Sequence, residues 1–189
     1  AETDFETACR LVHVEQDHIV NANGMVMTPG YVDIHSHGAW GSSFDDGEKG
    51  ITTARAGHMA HGTTRQVLSL ITNPIDVICG NLKTVHDMMP DRPDILGAHL
   101  EGPFLAMPRK GAHDPNCLVD PTPDLVSRML DAADGCLRQI TIAPELPHGI
   151  DAIRRFFLAG VVPAVGHCDA DYQTARKGFD AGAGIMTHM

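Results

Sequence analysis

From Tyr31 to His37 apolar and polar residues alternate, and short apolar segments recur over residues 64–71, 95–101, 138–144, 161–167 and 184–188, as buried strands do. Between them the spacing turns helical. It is clearest at Ile75, Ile78, Cys79, Leu82 and Val85, at Val126, Met129, Leu130 and Ala133, and at Ile153, Phe156, Phe157 and Gly160. The predicted order is strand 31–37, helix 50–61, strand 64–71, helix 75–88, strand 95–101, helix 123–133, strand 138–144, helix 150–159, strand 161–167, helix 171–181 and strand 184–188. Gly62, Pro74, Gly97, Gly149 and Gly160 punctuate the joints.

Regular alternation of strand and helix predicts an α/β chain with a parallel sheet covered by helices. Two architectures satisfy it, a (β/α)8 TIM-like barrel and a doubly wound open sheet. No Gly-rich dinucleotide fingerprint follows the first strand, and polar groups gather at the ends of several different strands, which suits the mouth of a barrel. A full barrel usually takes ~250 residues. The 189 residues here begin at Ala1 and stop on the sixth strand, so about six β/α units of a longer protein are expected. Residues 1–29, with Leu11-Val-His-Val14 and His18-Ile-Val20, read as short strands left from a small β-sandwich domain, and residues 30–189 as the N-terminal part of the barrel.

The strand ends carry the candidate chemistry. Strand side chains repeat every two residues, so His35 and His37 point the same way and can share a cation. Glu101, His167 and His188 close later strands, and together these residues form a candidate metal site. Imidazole nitrogen and carboxylate oxygen suit Zn²⁺, Fe²⁺, Mn²⁺ or Co²⁺, one or two per subunit. Glu145 closes the fourth strand, either as a further site carboxylate or as a rim carboxylate bonded to backbone or Arg. His99 shares the face of Glu101 one layer deeper, the place of a histidine that supports a ligand. His13, His18, His58, His61, His86 and His148 fall on loops or helices away from the strand ends.

Composition narrows the partners. A formal charge of −10 argues against nucleic acid, which needs clustered Lys and Arg. An anionic small substrate stays open, since one Arg or a few backbone amides can hold a phosphate. No apolar run approaches the ~20 residues that span a bilayer, and no signal sequence opens the chain, so no membrane association and a cytoplasmic location are expected. With 5% aromatic residues, the core must be aliphatic. Cys9, Cys79, Cys117, Cys136 and Cys168 form no Cys-x-x-Cys pair and read mostly as small buried fillers. Cys117, in the irregular segment 103–122, is either buried or a thiol near the site.

Pro29-Gly-Tyr-Val-Asp-Ile-His-Ser-His-Gly38 resembles the first-strand signature of the amidohydrolase superfamily. His99-Leu-Glu-Gly-Pro-Phe104, Lys110-Gly-Ala-His-Asp-Pro115, Ala143-Pro-Glu145, Gly166-His167 and Thr187-His-Met189 are similar to motifs of its N-acetylglucosamine-6-phosphate deacetylase family. That resemblance implies metal-dependent hydrolysis of N-acetylglucosamine 6-phosphate, a small sugar phosphate, to glucosamine 6-phosphate and acetate. Glu101, His167 and His188 match the metal ligands all members keep. The pair His35 and His37, retained in only some members, leaves room for a second metal. Ala112 and His113 match a substrate contact, the first through its backbone and the second beside the acetamido group. The catalytic Asp of the eighth strand and the Asn-Ala pair, Arg and His that grip the phosphate would lie beyond this chain. Cys168 stands where Thr or Ser is usual, and a homodimer is implied for the full-length protein. The competing readings are an amidohydrolase acting on another C–N bond, such as a cyclic amide, and a non-catalytic metal-binding fragment.

Overall fold

A computed structural model of the chain describes residues 4–13, 15 and 18–188. Helix α1 (Phe5–Leu11) precedes strand β1 (Tyr31–Asp33), which is followed by a hairpin of β2 (Gly38–Ala39) and β3 (Ser42–Ser43). From there strand and helix alternate: α2 (Gly47–Ala60), β4 (Thr63–Ile71), α3 (Ile75–Met88), β5 (Ile95–Glu101), α4 (Pro123–Ala133), β6 (Leu137–Ile142), α5 (Gly149–Leu158), β7 (Val162–Val165), α6 (Tyr172–Asp180) and β8 (Ile185–Met186).

The strands β1, β4, β5, β6, β7 and β8 are hydrogen-bonded in that order, and every pair is parallel. Each crossover therefore steps to the adjacent strand in one direction. Right-handed crossovers of that kind lay all their helices on one face, the winding of a (β/α)8 barrel. A doubly wound sheet would reverse its strand order part-way, so the open-sheet alternative is set aside.

Local chemistry fixes the helix ends. The Thr122 hydroxyl accepts from the Leu125 amide, Pro123 supplies a pre-set φ at the first helical position, and Asp134 closes α4 in the left-handed region. Asp171 caps α6 by accepting from the Thr174 amide. Pleating then divides the strands between two environments. Leu68, Leu70, Ala98, Leu100, Ile140 and Ile142 pack against Ile51, Ile78, Leu82, Val126, Met129, Ile153 and Phe156 of the helices, forming the aliphatic core. The opposite face of the strands carries Ser69, His99, Glu101 and Thr141, all buried.

Three expectations need correction. Leu11 ends a helix and His18 to Val20 are not in a strand, so no strand occurs among the described residues before Tyr31; Val14 lies outside them. The first strand stops at Asp33 rather than His37, because the Asp33 carboxylate accepts the His35 amide and takes it from the ladder. Among the cysteines only Cys136 is buried, its thiol pushed up to about 11 by that burial, while the other four are partly exposed.

Candidate metal centre

The site begins where β1 ends. Beyond Asp33 the chain bends at Ile34 and stays beside β4, held by the Ser36 amide donating to Ser69 Oγ at 3.2 Å and the Ser69 amide to the Ser36 carbonyl at 3.2 Å. This segment carries His35 and His37, whose rings lie 5.3 Å apart. Glu101 is the last residue of β5, and His167 and His188 follow the ends of β7 and β8. Both these histidines are left-handed, with φ of 50° and 61°. Non-glycine residues pay about 1–2 kcal/mol for that conformation, so contacts around the two rings must hold them there.

Every imidazole of the cluster turns Nε2 toward the Glu101 carboxylate. His35 lies at 3.3 Å, His37 at 2.8 Å, His113 at 3.5 Å, His167 at 3.3 Å and His188 at 2.9 Å. Glu101 itself is 4% exposed. Burial alone would raise its pKa, but hydrogen bonds from His113, His35 and His37 outweigh burial and hold the group ionised, far below the ordinary carboxylate range.

The tautomers show why a cation suits this place. His167 Nδ1 sits 2.8 Å from the carbonyl oxygen of Arg109, which can only accept, so Nδ1 carries the proton. In the neutral ring Nε2 is then a lone pair, aimed at a carboxylate oxygen. More broadly, five rings face a group with about four lone-pair sites. A divalent cation between the lone pairs and the carboxylate satisfies both sides, and a carbonyl-fixed Nδ1–H is the usual orienting contact of a metal-ligating histidine. His35, Glu101 and His188 place donor atoms within 4.8 Å of one another, and so do Glu101, His113 and His167. The two groups share Glu101, whose Oε1 faces His35, His167 and His188 and whose Oε2 faces His37 and His113. His37, with Nε2 on Glu101 Oε2 and a buried Nδ1 that has no hydrogen-bond partner, adjoins both.

The remaining site residues fall into place around this cluster. His113 is 3% exposed and lies edge-on to His167, with ring centroids 4.9 Å apart. The irregular segment that carries it gives no periodic signal, so only the motif likeness drew attention to it. Its neighbour Ala112 is exposed, at the tip of the turn over the cluster. His99 lies below, edge-on to His35 at 4.7 Å, and burial pushes its pKa down to about 3. Glu145 is not brought to the cluster: it accepts the Asp169 amide, and its other oxygen is buried without a hydrogen-bond partner. His58, assigned by its helical position to no role, reaches the Gly38 carbonyl at 3.1 Å and lies 3.8 Å from Asp33, so it braces the His35–His37 segment from behind. Beside His167 and His188 a cleft of about 460 Å³, lined also by Arg109, Cys168 and Thr187, opens to solvent.

The chain is similar to proteins of known activity and structure. No protein-family model matches the chain. The N-acetylglucosamine-6-phosphate deacetylase of Lysinibacillus sphaericus is 28% identical over 185 residues, which is 94% of this chain and 47% of the relative. The crystal structure of N-acetyl-D-glucosamine-6-phosphate deacetylase from Mycobacterium smegmatis superposes with a TM-score of 0.82 at 41% identity, covering 85% of this chain and 46% of that one. A mutant of the same enzyme, solved in complex with N-acetyl-D-glucosamine-6-phosphate, gives a TM-score of 0.82 at 41% identity over 85% of this chain and 42% of its own. The chain thus spans about half the length of the relatives it matches.

Proposed function

We propose that this relative of the N-acetylglucosamine-6-phosphate deacetylases supplies the metal-binding half of a barrel that hydrolyses the N-acetyl group of a sugar phosphate, releasing acetate and glucosamine 6-phosphate. The observation that carries the reading is the convergence of the five Nε2 atoms on one buried, ionised carboxylate. Its support is the likeness to deacetylases along nearly the whole chain. In this reading residues 1–29 belong to a separate small domain and residues 30–189 to the barrel.

Glu101 would hold one cation together with His167 and His188, whose Nε2 atoms both face its Oε1, and His35 and His37 would provide for a second. Bound by these residues, a divalent ion would supply Lewis-acid polarisation of the acetyl carbonyl and a water made acidic enough to ionise near neutral pH. Arg109 keeps His167 in the ligating tautomer through its carbonyl. His113, held between Glu101 and His167, is placed to donate from Nε2 to the acetyl oxygen as negative charge develops on it. One well-aimed donor of that kind is worth about 3–4 kcal/mol in other hydrolases. Ala112, exposed at the turn, offers its backbone to the substrate. The strand and helix positions outside these residues would complete the sugar-phosphate pocket and supply the proton for the leaving amine.

The test is the metal content of the full-length protein and its deacetylation of N-acetylglucosamine 6-phosphate before chelation, after it, and after metal restoration. Activity that falls and returns with one or two bound metals per chain is the expected result. Bound metal without deacetylation would transfer the site to another amide substrate or to a non-catalytic role, and a protein that holds no metal would overturn the reading.

A further inference from the structure

Beneath the ligand rings lies a run of polar side chains that the proposed chemistry does not use. Ser69 of β4, His99 of β5 and Thr141 of β6 are each 0% exposed, where the interior layers of a (β/α)8 barrel are ordinarily filled by branched aliphatic residues. They are bonded in a line across the strands. Ser69 Oγ and His99 Nδ1 are 2.8 Å apart, His99 Nε2 and Thr141 Oγ1 3.0 Å, and Thr141 Oγ1 and Thr187 Oγ1 3.0 Å.

Both ends of the line meet backbone that carries a cluster histidine. At one end Ser69 Oγ accepts the amide of Ser36, the residue between His35 and His37. At the other, Thr187 immediately precedes His188, and its amide donates to the Val165 carbonyl at 2.9 Å. In the middle, the His99 ring lies edge-on against His35, with centroids 4.7 Å apart and planes at 76°. A branched aliphatic residue at position 99 would fill the space but bridge nothing. An imidazole has a nitrogen on each side, and here each nitrogen finds a hydroxyl from the neighbouring strand.

We propose that Ser69, His99, Thr141 and Thr187 are positioning residues, a hydrogen-bonded bar beneath the centre that sets His35 and His188 relative to Glu101 and thereby the affinity for the cation. The proposal rests on the metal-centre reading above. Groups that orient ligands in this way typically change metal affinity by about 10–100-fold when removed.

The experiment uses the full-length protein with Co²⁺ as the probe, reading its dissociation constant by chelator competition and its coordination by the visible absorption spectrum. His99→Leu is expected to weaken Co²⁺ by about 10–100-fold and to alter the spectrum. His99→Asn, which can keep the bond on the Ser69 side, and His99→Gln, which can keep the one on the Thr141 side, should each recover part of the loss. Thr141→Val is nearly isosteric, and the hydroxyl it removes is bonded to His99 and Thr187 rather than to a cluster histidine. It breaks the line while preserving the packing, and so decides the matter if His99→Leu fails to fold. Co²⁺ affinity within twofold of the parent and an unchanged spectrum in Thr141→Val, whatever its melting temperature, would overturn the proposal. Parent protein that takes up no Co²⁺ would overturn the metal centre itself.

Discussion

The Nδ1–H of His167 donates to the backbone carbonyl of Arg109 at 2.8 Å, and this bond decides which nitrogen of the ring faces Glu101. The same stretch of chain touches His167 again. The Ala106 amide donates to the His167 carbonyl at 2.9 Å, and a methyl group built on Gly111 would stand 3.2 Å from His167 Cε1. The loop after β5 and the turn after β7 are thus one unit, with the ring clamped between them.

Gly111→Ala should therefore loosen the centre more than the fold. Gly111 has φ +59°, so the new residue is strained by about 1–2 kcal/mol and also presses on the ring. About tenfold weaker metal binding is expected in the full-length protein, on the scale of other lost orienting contacts. Chelator competition measures it, and circular dichroism checks that the secondary structure is unchanged. Parent-like affinity would mean that the clamp does not orient His167.

Much of the fold was legible because its signals are periodic. The helix and strand rhythm placed α3, β5 and α4 at residues 75–88, 95–101 and 123–133, where the structure has them. Residues before Tyr31 were misread because Leu11 and Ile19 gave an apolar pattern without tertiary partners to choose strand over helix. In the site, His35, His37, Glu101, His167 and His188 were visible as strand ends. The line from Ser69 to Thr187 was not, since hydroxyl residues in a strand look alike whether they meet solvent or one another. The roles of Arg109 and His58 depend on a backbone carbonyl and on a helix packing behind a strand, and neither leaves a mark on residue spacing.

Glu101→Gln removes the charge on which the five clustered imidazoles converge, and with it one oxygen donor. Metal binding should fall by more than the ~100-fold typical of an orienting group, since here a ligand is lost. Elemental analysis of the purified full-length variant reads the outcome directly, and deacetylation should fall with it. Full metal content with full activity would remove Glu101 from the centre.

Cys136 should be inert toward thiol reagents in the folded protein. Burial holds its pKa near 11, and its Sγ lies 3.4 Å from the Leu82 carbonyl, so little reactive thiolate is present at neutral pH. Alkylation at pH 8 followed by peptide mapping should label Cys117 or Cys168, which are partly exposed, well before Cys136. Labelling Cys136 at the rate of the others would show that the helix α3 side of the core opens readily.

Asp94 anchors the barrel floor. It accepts from buried Arg55 at 2.9 Å and from Arg92 at 2.9 Å, and these bonds, Arg92 first, draw its pKa from 3.8 down to about 2. A carboxylate held below its unfolded value binds fewer protons when folded. Its contribution is therefore complete above pH 3.8 and is lost as the pH falls toward 2, and two pKa units correspond to about 2–3 kcal/mol. Asp94→Asn keeps an acceptor oxygen but leaves the guanidinium of Arg55, 0% exposed, bonded to neutral groups, among them Gln66 and the Thr63 carbonyl. Removing one member of a buried ion pair typically costs about 3–5 kcal/mol, and the partial exposure of Asp94 favours the lower end. Urea unfolding at pH 7 should show a loss of about 3 kcal/mol, and repeating it below pH 4 should show parent and variant converging. A gap that stayed constant down to pH 2 would mean that the aspartate acts through packing rather than through its charge.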